Sequence, residues 1–233
     1  MISVCIATYN GEDVILTQLK SILPQLGNDD EIVISDDNST DRTVELIQSL
    51  NDDRIRIVKG PCKGSPIPNF EHVLMQAKGD YIFLSDQDDQ WMPNKVAICM
   101  KKLKSGCACG VTDCVVTDMD FNVIYPSFYA CNHMRKGRYY NLFRKNNYLG
   151  GSMAFTKKVK DRSLPFPKDI PMHDIWIGNV AAFYYNVTFI PQKCSYLRRG
   201  DHNASSTAKK SESSVWQKFI YRWSIVKNLI LLK

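Results

Sequence analysis

Within the first 90 residues, four runs of β-forming residues alternate with three stretches of helical periodicity, and few folds accept that order. Neighbouring parallel strands need a crossover of a dozen or more residues, usually a helix. The alternation therefore predicts βαβ units, an α/β fold whose mostly parallel sheet carries helices on both faces. The strand runs are residues 2–8, 31–35, 54–58 and 81–84. A helix over roughly 12–23 places Val14, Ile15, Leu19, Ile22 and Leu23 on one side. A second carries Val44, Leu46, Ile47 and Leu50 after a cap at Ser39 or Thr40, and a third holds Phe70, Val73, Leu74 and Ala77.

A chain of 233 residues suffices for one large domain, or a domain with a tail. Hydrophobic residues at 44% and charged residues at 23% are ordinary for a globular protein. No run reaches the roughly 20 apolar residues needed to cross a bilayer. Residues 1–7 lack a basic start and read as a first strand, not a signal peptide, so the expected location is cytoplasmic. Eight cysteines in that setting are expected to be reduced small hydrophobes. Cys107, Cys109 and Cys114 lack the paired knuckles of a zinc site. Residues 193–233 hold nine Lys/Arg against two acids, a net of +7, so the remaining 192 residues carry −1 of the net charge of +6. That argues against nucleic acid gripped by the domain itself and points to an anionic surface beside it.

In open α/β sheets ligands sit in the crevice at the carboxyl ends of the strands. Those ends here read Thr8-Tyr9-Asn10, Asp36-Asp37 and Asp86-Gln87-Asp88-Asp89. An aromatic ring, a carboxylate and an acidic cluster along one edge suit a nucleobase, a ribose and a diphosphate. Three carboxylates within four residues repel one another unless a cation sits among them. Hard oxygen ligands of this kind suit Mg²⁺ or Mn²⁺. The plainer alternative is a solvated acidic turn ahead of the helix that starts near Pro93. No G-x-G-x-x-G follows the first strand and no P-loop occurs, so phosphate charge would be met mainly by the metal.

With these stretches in place, the chain resembles the family 2 glycosyltransferases of GT-A fold, in particular bacterial members that build cell-surface polysaccharides, rhamnosyltransferase-like ones among them. The matching stretches are residues 3–11 (SVCIATYNG), 35–41 (SDDNSTD), 83–91 (FLSDQDDQW) with Pro93 and Lys95, Gly150-Gly151-Ser152-Met153, and His173-Asp174-Ile175-Trp176. They run in the family's order over about residues 2–204. The resemblance implies that Thr8, Tyr9, Asn10, Asp37 and Asp86 contact the nucleotide, with Asp88 the metal ligand. It implies a donor and acceptor loop of Asp89, Trp91, Gly150, Gly151 and His173, and Asp174 as general base. The residues alone leave other roles open: Asp174 as a helix cap, Asp36 as the keeper of its own turn, Trp91 as core, His173 as packing. Where relatives often carry an arginine followed two residues later by a histidine, this chain has Arg198-Arg199-Gly200-Asp201-His202. Arg198, Arg199 and His202 are thus the candidate diphosphate contacts.

The implied reaction is inverting, metal-dependent transfer of a single sugar from a UDP- or dTDP-sugar to a glycan, itself lipid-linked. A non-catalytic nucleotide-sugar-binding subunit of an assembly complex is the alternative. The implied layout is a catalytic domain over 1–204, then a linker and a basic amphipathic helix over 205–233. Trp216, Phe219, Trp223, Val226 and Ile230 follow helical spacing, with Lys218, Arg222 and Lys227 interleaved. Such a helix suits peripheral contact with the inner face of a membrane, or docking on protein.

Overall fold

The computed structural model describes residues 1–200 and 214–232. The elements run β1 (Ile2–Thr8), α1 (Ile15–Ile22), β2 (Glu31–Asp36), α2 (Thr43–Gln48), β3 (Ile55–Lys59), α3 (Pro66–Gln76), β4 (Tyr81–Asp86), β5 (Gln90–Trp91) and α4 (Lys95–Lys104). The second half adds β6 (Cys109–Thr117), β7 (Val123–Tyr125), α5 (Phe128–Cys131), α6 (Arg138–Phe143), β8 (Met153–Thr156), α7 (Lys157–Ser163), α8 (His173–Tyr184), β9 (Val187–Arg198) and α9 (Val215–Leu231). Among the described residues nine strands form one sheet, in the order β3-β2-β1-β4-β8-β6-β9-β5, with β7 on the side of β6.

The expected βαβ units are present. Strands β3, β2, β1 and β4 are all parallel, and side-chain alternation along β1 sends Val4 and Ile6 to one face and Cys5 to the other. The first face is covered by Ile15, Leu19 and Ile22 of α1, the second by Phe70, Val73 and Leu74 of α3. A strand buried on both faces reads as a near-continuous apolar run, as residues 2–7 do apart from Ser3, whose hydroxyl donates to Glu31. Beyond β4 the sheet is mixed, because β8 lies antiparallel between β4 and β6 while β6 and β9 are parallel.

One local expectation is corrected. Neither Ser39 nor Thr40 caps the second helix. Ser39 donates its hydroxyl to Asp36 Oδ1 at 2.5 Å and accepts from the Asn10 amide at 2.9 Å, while the Thr40 amide donates to Asn10 Oδ1. Asp41 instead accepts the Thr43 amide at 3.0 Å, and α2 starts there. Asp36 thus holds its own turn. All eight cysteines are free thiols, as expected.

The C-terminal helix forms where its periodicity placed it. A capping box at Ser214 and Gln217 opens it. Ile225 and Leu229 enter the core beside α8, and Ser224 and Asn228 bond to Asp169. Among the described residues no helix is long and apolar enough to cross a membrane. The linker expected over 205–213 lies outside the described residues.

Helix α8 packs against Tyr148 at a point that admits no side chain. A Cβ on Gly178 would stand 2.2 Å from Tyr148 Cγ, and that ring is itself buried and stacked on Phe189. Gly178→Ala is expected to destabilise by roughly 3 kcal/mol, the upper range for overpacking a core. For a chain this size that corresponds to a fall of about 6–12 °C in melting temperature. A shift under about 1 °C by calorimetry would mean that Tyr148 has another place to go.

Candidate active site

Parallel register brings the strand ends together: Thr8 pairs with Asp36, and Ala7 with Asp86. The cavity they open into has a volume of about 400 Å³ and is lined by Thr8, Tyr9, Asp37, Asp86, Asp88, Gly150, His173, Asp174 and Arg199. Residues as far apart as Thr8 and Arg199, 191 positions in sequence, thus meet at one sheet edge. Tyr9 stands half exposed at the rim. Asp37 is buried and turns both oxygens to the 60–64 loop, accepting the amides of Lys63 at 3.2 Å and Gly64 at 2.8 Å.

The acidic loop carries more charge than its surroundings balance. Burial, then the charge of Asp88, raises the Asp86 carboxyl to about 7, against the pull of Arg199 and Lys95. Burial and both neighbouring aspartates hold Asp89 well above the usual carboxylate range. Both Asp89 oxygens are buried with no hydrogen-bond partner among the described residues. Such a set fits a divalent cation: it offers hard oxygens and gains from a positive charge. Among the described residues no three or more His, Cys, Asp or Glu side chains form a ready metal cluster. A cation here would rest on Asp88 and Asp86 with oxygens of water and ligand, the mode Mg²⁺ ordinarily takes.

Glycine is required where the chain passes this loop. A Cβ on Gly151 would lie 2.5 Å from Asp89 Oδ2 and 3.2 Å from Asp86 Oδ2, and one on Gly150 would lie 3.1 Å from His173 Nε2. The Gly151 carbonyl accepts the buried Lys95 ammonium at 2.5 Å, and that ammonium also sits 4.3 Å over the Trp91 ring. Lys95 thereby ties α4 to the Gly150-Gly151 turn, and its charge opposes that of Asp86 and Asp89.

Asp174 occupies the second residue of α8 and is not its cap, since Met172 precedes the helix. Its Oδ2 accepts the Gly150 amide at 3.1 Å and its Oδ1 the Ile175 amide at 2.7 Å. Burial raises its carboxyl to about 6, with those amide bonds opposing. Next to it, His173 is stacked on Phe70 at 3.9 Å, and burial lowers it to about 3, so the ring is neutral. Neither ring nitrogen has a hydrogen-bond partner among the described residues.

Three of the described candidates take other positions. Trp91 is not at the cavity but 2% exposed in the core against Phe83, because it follows the loop on β5 and points inward. Asn10 bridges to the 39–40 turn and does not line the cavity. Arg198 is the last residue of β9 and Arg199 follows it, and the two side chains go to different places. Arg199 lines the cavity, while Arg198 bonds the Asp88 carbonyl through Nε and lies 4.8 Å over Phe121. His202 falls outside the described residues.

The structure adds residues that carried no role in the sequence. Gln87 accepts the Tyr9 amide at 2.9 Å and donates to its carbonyl at 3.1 Å, locking the first loop to the acidic one. Asn69 donates to the Thr8 carbonyl and leaves a buried Oδ1 at the cavity wall. Gln87 stood inside the acidic stretch and was legible. Asn69 looks like any polar helix residue until α3 is packed.

The profile of Glycosyl transferase family 2 matches residues 3–164 of the chain. Residues of this chain are 39% identical over 98 positions, 42% of its length, to an Escherichia coli UDP-Glc:alpha-D-GlcNAc-diphosphoundecaprenol beta-1,3-glucosyltransferase, WfaP, of which they cover 39%. The chain spans about two fifths of the length of curated relatives of this kind. Staphylococcus aureus TarS 1-349, solved with UDP-GlcNAc, superposes at a TM-score of 0.72 and 15% identity, over 99% of this chain and 66% of that one. The mannosyltransferase PcManGT of Pyrobaculum calidifontis, solved with GDP-Man and Mn²⁺, superposes at 0.65 and 18% identity, over 97% and 64%. The expected GT-A fold is thereby borne out.

Proposed function

The chain belongs to glycosyl transferase family 2, and on that premise we propose that this cavity transfers one sugar, with inversion, from a nucleotide-diphosphate donor to a glycan hydroxyl. The observation that carries the reading is the pairing across one cavity of a raised, amide-held carboxylate, Asp174, with the aspartates at the end of β4. An inverting transfer needs one base and a means to offset charge on the leaving diphosphate.

In this reading Asp174 accepts the acceptor hydroxyl proton as that oxygen attacks the anomeric carbon and the bond from that carbon to the diphosphate breaks. The Gly150 amide keeps Asp174 aimed, and Arg199 supplies positive charge at the cavity wall. Tyr9, Thr8 and Asp37 receive the nucleoside, and His173, stacked on Phe70, lines the same cavity beside Asp174. Asp88, with Asp86 beside it, would hold a divalent cation, which would supply countercharge to the diphosphate. A UDP- or dTDP-sugar is the proposed donor. The diphosphoundecaprenol in the name of WfaP supports a lipid-linked acceptor, and with it work at the cytoplasmic face of a membrane.

The test is a panel of nucleotide sugars incubated with the protein and Mn²⁺. Release of nucleoside diphosphate from one donor, even as slow hydrolysis, is the expected result. Tight nucleotide-sugar binding with no release, with and without polyprenyl-diphosphate glycans, would leave a binding subunit and overturn the catalytic reading.

A further inference from the structure

Helix α9 is docked through one face and still presents an apolar one. Trp216 is 68% exposed, Trp223 59% and Ile230 73%, with Phe219 beside them. Packing alone accounts for Ile225 and Leu229, not for two tryptophans in water. The neighbouring α6 behaves likewise, exposing Tyr139 and Phe143. Arg222 of α9 donates to the Arg144 carbonyl at 3.1 Å, which joins the two exposed faces.

Between these helices and α8 runs a groove of about 410 Å³ lined by Tyr139, Phe143, Phe183, Val226, Leu229 and Ile230. Its surroundings are basic. Residues 121–160 contain no Asp or Glu, and Arg135, Lys136, Arg138, Arg144 and Lys145 all stand exposed beside α6. Among the described residues none of these five is ion-paired to an acid, whereas Lys157 and Lys227 are held by Asp161 and Asp169. Helix α9 adds Lys218 and Arg222 and no acid. Aromatic side chains ringed by unpaired cations, around an apolar groove, match the layers of an anionic bilayer: headgroup charge outside, hydrocarbon within.

We propose that the joined face of α6 and α9 docks on an anionic lipid bilayer and that the groove between them receives lipid hydrocarbon. The proposal deepens the reading of a lipid-linked acceptor, on which its purpose rests. Helix α8 connects the two ends: Asp174 lies at the cavity and Tyr184 at the groove. Ten residues of helix separate them, about 15 Å. A rigid helix thus sets the height of the reacting hydroxyl above the lipid surface.

Tryptophan emission reads the docking directly, because Trp91 and Trp176 are buried and any change on adding vesicles reports Trp216 and Trp223. With the full chain at low salt, phosphatidylglycerol-rich vesicles are expected to co-sediment the protein, shift its emission to the blue and, when brominated, quench it. Phosphatidylcholine vesicles and raised salt are expected to weaken all three. Arg144→Gln with Lys145→Gln should lower vesicle affinity about 25-fold, at roughly fivefold for each charge near an anionic surface. Trp216→Ser with Trp223→Ser should abolish the shift. Binding of UDP without vesicles should be the same in all variants, which separates failure here from failure of the catalytic reading. Absence of sedimentation at low salt, equal binding to neutral vesicles, or an α6 charge variant that binds like the parent would each overturn the proposal. So would a blue shift that appears with protein concentration alone together with a doubled mass, which would assign the face to a second copy.

Discussion

Asp174→Asn is expected to lose on the order of 10² or more in turnover, the scale of a general base removed. Asparagine keeps the size of the side chain and one oxygen for the Gly150 amide, though its NH2 cannot replace the acceptor of the Ile175 amide, so donor affinity should hold. Stability at pH 8 should stay near that of the parent, because the lost acceptor of the Ile175 amide and the removed cost of a buried charge oppose each other. A carboxyl raised from 3.8 to about 6 favours the folded state fully below about pH 3.8, and that contribution is lost as pH rises through about 6. At pH 8 the parent therefore carries the cost of burying the ionised form, and the neutral amide does not. The same shift sets the pH profile of the parent, because only the ionised form accepts a proton: below about pH 6 the transfer rate should fall roughly tenfold per unit. Asp174→Ala should instead lower the melting temperature, since the Gly150 amide loses its acceptor. Melting temperature, donor affinity and rate are measured together for both variants. Turnover of the Asn variant above about a third of the parent, far outside the general-base range, sinks the assignment.

Asp88→Asn should remove the cation dependence of nucleotide binding. Arg198 holds this loop through the Asp88 backbone carbonyl, which the substitution leaves in place, so the fold and the loop path should persist. What changes is one charged oxygen at the cavity. The loss should exceed the factor of about 10–100 that removal of a mere outer partner of a metal ligand costs. Titration calorimetry of UDP with Mn²⁺ and with chelator gives the comparison. Equal affinity in both conditions for the parent would eliminate cation-assisted binding, whatever the variant does.

Much of this was written locally. The β1 to β4 alternation was legible because strands buried on both faces, β1, β2 and most of β4, read as near-continuous apolar runs, while each helix buried on one face carries a period of 3.6. The acidic cluster at the end of β4 and the aspartates at the end of β2 were legible for the same reason: strand ends in such sheets are where ligands bind. Helix α9 announced itself by period.

What tertiary structure decided concerns direction and distance. Sequence offered Asp174 as a cap or as a base. Only the packing of α8 beside Gly150 placed its carboxylate at the cavity and outside the cap position. Adjacent arginines at 198 and 199 look equivalent in sequence, yet the chain at the end of β9 sends one to the backbone of the acidic loop and the other to the cavity. Trp91, one residue past a functional loop, was claimed by the core because β5 turns it inward. For α9, periodicity could not choose between protein and membrane, because a 17-residue helix has two sides: the structure buries Ile225 and Leu229 and leaves Trp216 and Trp223 outside. Periodicity tells which residues share a side. What that side meets depends on elements far away in the chain, and in sequence those contacts leave no mark.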